Sequence, residues 1–285
     1  AFSIALAGGV NRFDGYCTTC KGTPKWWEVI VTPILAADGQ VSQILSVSRD
    51  ITERKQSQTA LEERNRELDS FVYVVSHDLK APLRAISNLS VWIEDDLEGQ
   101  LTADTRSQMN LLRSRVARMA ATIDGLLDYS RVGRSEDAIE TVAVAQLLEE
   151  VIDSVAPPPA FTIVLPAELP TISTKRLPLF QVFANLVGNG IKHHHSETGK
   201  IQMTIAERGN FYEFAIADDG PGIAPADRER MFKIFQAVNP QNRADSTGIG
   251  LAIVKKIIEA ESGTIRLESE IGKGTTFYFT WPKVM

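Results

Sequence analysis

Two stretches of the chain carry apolar residues at helical spacing. From Phe71 the positions Val72, Val75, Leu79, Leu83, Ile86, Leu89 and Ile93 advance mostly in steps of three or four, the period of one helix face. From Met109 the series Leu112, Val116, Met119, Ile123, Leu126 advances in steps of 3, 4, 3, 4, 3, a seam that wants a partner helix. The acidic, Gly-containing segment Glu94–Gly99 separates the two. The pattern therefore predicts an antiparallel helical hairpin. Two such hairpins packed together make a four-helix bundle, which implies a homodimer. Pro82 lies inside the first stretch and is expected to kink or locally unwind it.

The flanking patterns differ. Residues 51–70 are mostly charged and polar, with no Gly or Pro, and Leu61, Leu68 and Val75 recur every seven residues. Heptad spacing predicts a helix that pairs along a narrow seam. Ahead of Asp50 the chain reads as β structure. The runs Trp26–Thr32 and Val41–Ser48 flank an Asp38-Gly39 turn signal, which predicts an antiparallel hairpin. Fifty residues is little for an independent sheet domain. After the polar linker Gly133–Glu140 the pattern becomes mixed. An amphipathic helix is expected near Ala145–Val155, then a Pro157-Pro158-Pro159 turn, then alternating strands and helices. No internal repeat is evident.

Length and charge narrow the function. At 285 residues the chain has room for two domains and a smaller third piece. An apolar fraction of 44% and a charged fraction of 23% are ordinary globular values. A net charge of −6 argues against a nucleic-acid binder held by phosphate contacts. It leaves open an anionic nucleotide held through Mg²⁺ and backbone N–H groups. The longest stretch free of charged residues, Leu177–Ile191, is too short and too polar for a membrane span. No signal peptide is legible, so a cytoplasmic location is expected. The chain opens on Ala1-Phe2, as a fragment would, and an upstream anchor or sensor stays open. Cys17 and Cys20 form a Cys-x-x-Cys with no second pair. Redox and zinc readings exist for such a pair, and two small residues in a loop or strand is the reading adopted.

Chemistry gathers in a few places. His77 lies between Val75 and Leu79, followed by Asp78. A neutral imidazole is a nucleophile near neutral pH, and an adjacent carboxylate orients it or takes its proton. Asn185 and Asn189 are four apart, on one helix face, with Lys192 three further on. Amide oxygens suit Mg²⁺, and Lys192 is placed to neutralise phosphate charge. Glycines cluster in Asp218-Asp219-Gly220-Pro221-Gly222-Ile223, in Gly248-Ile249-Gly250-Leu251 and in Gly272-Lys273-Gly274-Thr275-Thr276. A Gly-rich turn opening a helix offers N–H groups to phosphate. Neither the dinucleotide-fold fingerprint nor the Walker pattern is met. The run His193-His194-His195 is no ready metal site, because adjacent helical residues point in different directions.

The order of these boxes resembles that of the sensor histidine kinases of two-component systems. Ser76-His77-Asp78-Leu79-Lys80-Ala81-Pro82-Leu83 resembles the phosphoacceptor box and Asn185–Lys192 the asparagine box. Asp218-x-Gly220-x-Gly222, Gly248-x-Gly250-Leu251 and Gly274-Thr275-Thr276-Phe277 resemble the glycine boxes, and Phe232-Lys233-Ile234-Phe235 the phenylalanine box. Residues 1–52 are similar to the C-terminal part of a PAS sensor domain. The resemblance implies a multidomain α+β chain. A partial PAS-like β segment (1–52) is followed by a coiled-coil signal helix (53–70). Then come a dimerisation and phosphotransfer hairpin (71–134), which pairs into a four-helix bundle, and an α/β-sandwich ATP-binding domain of the GHKL type (135–285).

Carried over residue by residue, the resemblance makes His77 the attacker of the ATP γ-phosphate and Asp78 its acid/base neighbour. Asn189 would hold Mg²⁺, with Asn185 and Lys192 near the phosphates. Asp218 would accept from the adenine amino group, with Gly220, Gly222 and Ile223 around the base. Gly248 and Gly250 would hinge a lid over the phosphates, Leu251 would bind the nucleotide beside them, and Arg243, in the candidate lid Gln236–Thr247, would contact the phosphates. Thr276 would line the adenine pocket. The expected cofactors are ATP and Mg²⁺, and the expected partner besides a second copy is the receiver domain of a response regulator. One position departs from members with strong phosphatase activity. Four residues after His77, where those carry Thr or Asn, stands Ala81, whose side chain cannot orient a water. A kinase with weak phosphatase activity is therefore expected. A superfamily ATPase without phosphotransfer and a non-catalytic dimeric scaffold are the alternatives.

Overall fold

The computed structural model describes residues 1–133, 137–196, 198–236 and 247–284. The chain divides into two compact units, Ala1–Phe71 and Val72–Met285.

The first unit begins with a short helix α1 (Phe2–Leu6), followed by β1 (Asn11–Thr18), β2 (Pro24–Leu35) and β3 (Val41–Asp50). The strands form one antiparallel sheet in the order β1-β2-β3. The expected hairpin is β2–β3, in the register Val31↔Ser46, and the Asp38-Gly39 turn closes it. Asp38 Oδ1 accepts the Gln40 N–H at 3.0 Å. The core of this unit is small: Ala5, Val31 and Ile51 are its buried apolar residues. Glu28 is buried beside them and takes ion pairs from Arg12 and Arg54. Cys17 and Cys20 are free thiols and exposed.

Helix α2 (Thr52–Asp96) starts at the end of this sheet. The Asp50 carboxylate accepts from the Thr52 N–H and pairs with Lys25. These partners hold its carboxyl far below the usual range, the Lys25 ammonium contributing most. Heptad residues Leu61 and Leu68 are exposed.

In the second unit α2 runs on and α3 (Ala103–Arg131) returns beside it. The ion pairs Lys80–Asp124 and Glu94–Arg113 fix the two helices as antiparallel. Thr102 caps α3, its hydroxyl accepting the Thr105 N–H at 3.2 Å. Leu83 packs on Val116 and Ile123, the buried centre of the hairpin. Most of the remaining apolar stripe is exposed, Leu79, Ile86, Leu89, Leu112 and Met119 included. Pro82 neither ends nor interrupts α2, contrary to the expected local unwinding. Its ring removes one backbone bond, and the helix on either side stays tied to α3 through Lys80 and Leu83.

The rest of the second unit is an α/β sandwich. In chain order it contains β4 (Ile139–Ala143), α4 (Val144–Val155), β5 (Phe161–Val164), β6 (Thr171–Lys175), α5 (Arg176–Lys192), β7 (Gly199–Arg208) and β8 (Phe211–Asp218). Then follow one turn of helix α6 (Pro225–Arg228), α7 (Gly250–Ala260), β9 (Ile265–Glu270) and β10 (Gly274–Pro282). Strands β5-β7-β8-β10-β9 form a mixed sheet in which only β5–β7 is parallel, and β4 and β6 pair separately. Helices α4, α5 and α7 cover one face. Leu147, Leu148 and Val151 of α4 and Val182, Phe183 and Leu186 of α5 are buried there with Phe214, Phe279 and Trp281 of the sheet. Phe183 meets Phe214 and Phe279 edge to face, with centroids 5.3 and 5.4 Å away. The buried indole of Trp281 donates to the Thr174 hydroxyl at 2.9 Å.

The hairpin also touches the sandwich. Leu126 and Tyr129 of α3 and Val132, just past its end, pack against the sandwich core. Lys256 of α7 lies 4.3 Å from the Tyr129 ring centroid and donates to the Tyr129 carbonyl. A Cβ on Gly125 would come within 3.3 Å of the Ile249 side chain, which is fully buried.

Candidate functional site

A cleft of about 620 Å³ opens at one end of the sandwich, between α5, the start of α7 and the ends of β8 and β10. Of the residues expected from the sequence, Asn185, Asn189, Lys192, Asp218, Gly222, Ile223, Gly248, Gly250 and Leu251 line it. Residues 57 positions apart meet here because the antiparallel register places Asp218 opposite Thr275.

On α5 the apolar residues Val182, Phe183, Leu186 and Val187 turn into the core. The intervening polar positions are thereby left for the cleft. Asn185 Nδ2 donates to the Gln181 carbonyl at 2.9 Å. Its amide oxygen faces Gly250, where a Cβ would come within 2.7 Å. Asn189 follows one turn later, and Lys192 ends the helix.

Asp218 ends β8 inside the cleft. Its Oδ1 accepts two backbone bonds, from Gly220 at 3.0 Å and Thr275 at 3.2 Å. Burial nevertheless raises its carboxyl above the usual range, the two N–H groups opposing this only in part. The turn that follows is stitched to the β9–β10 hairpin. The Ile223 N–H donates to Ser269 Oγ at 2.8 Å, and the Gly272 N–H to the Pro221 carbonyl at 2.8 Å. Two glycines are required for this closeness. Gly222 has φ +71° and Gly274 φ +95°. A Cβ on either would overlap a backbone carbonyl, that of Glu270 or of Asp218 respectively.

Two expected residues fall beside the cleft rather than in it. Gly220 serves Asp218 through its N–H and is not part of the lining. Thr276 is corrected to Thr275. Alternation along β10 buries Thr275, Phe277, Phe279 and Trp281 on the cleft and core side and turns Thr276 to the other face. Arg243 and positions 237–246 of the candidate lid lie outside the described residues. His77 and Asp78 are on α2 and not in the lining. Both are exposed, with His77 Nδ1 3.2 Å from Asp78 Oδ1. The Nδ1–H tautomer of His77 can donate to this carboxylate, which leaves the Nε2 lone pair free.

Sequence reasoning missed His193, Met231, Ile271, Thr275 and Phe277 in the lining. The signal for Thr275 and Phe277 was strand parity counted from Gly274. The signal for His193 was its place one turn after Asn189, whose carbonyl accepts the His193 N–H at 3.0 Å. Burial, and then the Lys192 charge, push the His193 imidazolium toward its neutral form. The phenylalanine box closes one side. Phe232 meets Phe277 edge to face at 6.5 Å, and the Phe235 N–H donates to the Gly248 carbonyl at 2.9 Å. Among the described residues no group of three or more His, Cys, Asp or Glu is placed to hold a metal ion. An oxygen-ligated cation with few protein contacts fits the amide oxygens present. No helix of the described residues is long and apolar enough to cross a membrane.

Comparison with known proteins gives three matches along the chain. Residues 2–56 match the PAS fold, residues 67–135 the His Kinase A (phospho-acceptor) domain, and residues 174–285 the histidine kinase-, DNA gyrase B-, and HSP90-like ATPase family. Cyanobacterial phytochrome A of Nostoc sp. is 33% identical over 96% of this chain and 37% of its own length. The adaptive-response sensory kinase SasA of a Synechococcus strain is 29% identical over 84% of this chain and 66% of its own. Among solved structures, full-length ShkA in complex with AMPPNP aligns with a TM-score of 0.57 at 28% identity, over 75% of this chain and 45% of that one. The chain spans about a third of the first curated relatives it matches, 37%, 34% and 30% of their lengths.

Proposed function

Because the chain belongs to the PAS-linked sensor histidine kinases, we propose that it autophosphorylates His77 from ATP and passes the phosphoryl group to an aspartate on the receiver domain of a response regulator. The observation that carries this reading is the cleft in which Asn189, Asp218 with Gly222, and Gly250 converge from three separate segments.

Each group has a task there. Asp218 Oδ1 is engaged by two backbone N–H groups, and its second oxygen accepts the adenine amino group. Met231, Ile271 and Phe277 supply apolar walls for the base. Lys192 and the first N–H groups of α7 face the phosphates. Asn189, with Asn185 close by, would hold Mg²⁺, which supplies charge neutralisation on the phosphates. His77 Nε2 attacks the γ-phosphorus, the bond to the β–γ bridging oxygen breaks, ADP leaves, and the Nδ1 proton passes toward Asp78. Transfer to the regulator reverses the first bond: an aspartate oxygen attacks phosphorus, the proton returns from Asp78 to Nδ1, the N–P bond breaks and His77 leaves as neutral imidazole. Ala81 offers no hydrogen bond to a hydrolytic water, so dephosphorylation of the regulator is slow. A second copy of the chain covers the exposed stripe of the hairpin.

Incubation of the wild type and His77→Gln with radiolabelled ATP and Mg²⁺ tests the reading. The expected label is acid-labile, alkali-stable and absent from the variant. An unlabelled wild type that still binds ATP overturns the kinase reading in favour of a scaffold.

A further inference from the structure

The imidazole of His194 has no part in the chemistry above, yet its side chain is only 3% exposed. Its Nε2 lies 3.0 Å from Asp219 Oδ1. Its Nδ1 lies 3.2 Å from the Ser196 N–H nitrogen and 3.0 Å from the Ser196 carbonyl oxygen. The ring stacks on His195 at 4.7 Å and meets Phe161 of β5 edge to face at 5.3 Å. A Cβ on Gly220 would come within 3.4 Å of its Cδ2, so the ring packs against the turn that carries Asp218.

Asp219 joins three pieces of backbone. Its Oδ1 also accepts the Lys200 N–H at 2.7 Å, and its own N–H donates to the Lys200 carbonyl at 3.3 Å. One carboxylate oxygen thus ties the end of α5, the start of β7 and the turn after β8. Hydrogen bonding to Lys200 and His194 overcomes desolvation and keeps Asp219 below the usual carboxyl range. As an ionised carboxylate it only accepts, so His194 Nε2 carries the donated proton. The neighbouring residue is Asp218, whose side chain enters the cleft while that of Asp219 points away into this tie.

We propose that His194 is a positioning residue for base recognition. By holding Asp219 through Nε2–H it fixes the Asp218–Gly220 turn and so sets where the Asp218 carboxylate meets the adenine edge. The inference rests on the reading of the cleft as an adenine-nucleotide site. Orientation within a buried frame converts small displacements into lost hydrogen bonds, so the effect falls on base discrimination rather than on phosphate contacts.

The test uses the full chain and measures binding of Mg-ADP and Mg-GDP by calorimetry, with thermal melting as a check on folding. His194→Phe keeps a ring against Phe161 and removes the donor. Its ADP affinity is expected to fall about tenfold, as for loss of a well-aligned bond to a charged group, while GDP affinity stays level. His194→Gln, which restores an N–H donor, is expected to recover most of the loss. Asp219→Ala removes the tie from its exposed end with His194 intact, and should repeat the His194→Phe result even if that variant does not fold. Equal losses for ADP and GDP, or an unchanged ADP affinity in a folded variant, overturn the positioning role alone. A wild type that binds neither nucleotide overturns the underlying reading of the cleft.

Discussion

Asp218 is held in a place that suits a ligand better than it suits the free protein. Burial raises its carboxyl above the usual range, so ionisation is harder in the folded chain than in the unfolded one. The sign follows. Relative stabilisation from this group is complete below the ordinary carboxyl range and is lost as pH rises through the raised value. At neutral pH the ionised side chain therefore strains the ligand-free protein. Asp218→Asn keeps the Gly220 and Thr275 bonds and removes that strain. Its melting temperature without nucleotide should rise, by about 2–4 °C for each kcal/mol recovered, while the stabilisation that ADP gives the wild type disappears. Scanning fluorimetry with and without ADP reads both effects. For the wild type, ADP affinity should decline as pH falls through the raised range of this carboxyl, earlier than an ordinary carboxylate would allow. Gly274→Ala is the opposite kind of change. It places a methyl group on the Asp218 carbonyl at φ +95°. A loss of about 1–3 kcal/mol from backbone strain alone is expected, with the clash adding to it, and urea unfolding would show it.

Period and parity decided how much was legible at the scale of elements. The steps of three and four in 71–93 and 109–126 identified α2 and α3, because a long amphipathic pattern has few alternative folds. The same rule could not tell that Pro82 would be carried inside a continuous helix. That outcome depends on tertiary support from Leu83 and Lys80, which no local pattern contains. On β10 the box was recognised but Thr276 was chosen over Thr275. A strand turns every second residue to the same face, so a one-residue error moves the side chain to the opposite side of the sheet. The exposed stripe on the hairpin makes a further expectation at this scale. Leu79, Ile86 and Leu89 are 49%, 43% and 51% exposed, which is much apolar surface for a solvated helix pair. Leu89→Glu should therefore shift the chain from dimer to monomer at micromolar concentration in sedimentation velocity runs.

At the scale of the whole molecule, the order of boxes was readable but their convergence was not. Nothing local in the sequence says that Asp218 and Thr275 are register partners, or that His193 and Phe277 face the same cleft. Those juxtapositions come from a mixed sheet whose strand order, β5-β7-β8-β10-β9, departs from chain order. The proposed nucleophile and the cleft also belong to different layers, His77 to the hairpin and Asp218 to the sandwich. A residue beside His77 can therefore be changed without disturbing nucleotide binding. Ala81 is exposed and one turn past His77. Ala81→Thr supplies the hydroxyl that a hydrolytic water needs. It should speed loss of phosphate from the cognate phospho-regulator several-fold while ADP affinity stays unchanged, as followed by phosphate release and nucleotide titration.

Ile249 stands between two glycines of the cleft and is fully buried, with Gly125 of α3 the place where no side chain intrudes on it. This makes the sandwich particular about which hairpin it is joined to. In a chimera that grafts residues 139–284 onto the hairpin of a relative, the residue meeting Ile249 sets compatibility before any catalytic residue does. A glycine there lets the graft seat, whereas a leucine must displace Ile249 and, through the chain on either side of it, Gly248 and Gly250. Recombination among such proteins is thus constrained at a position that neither binds nor reacts.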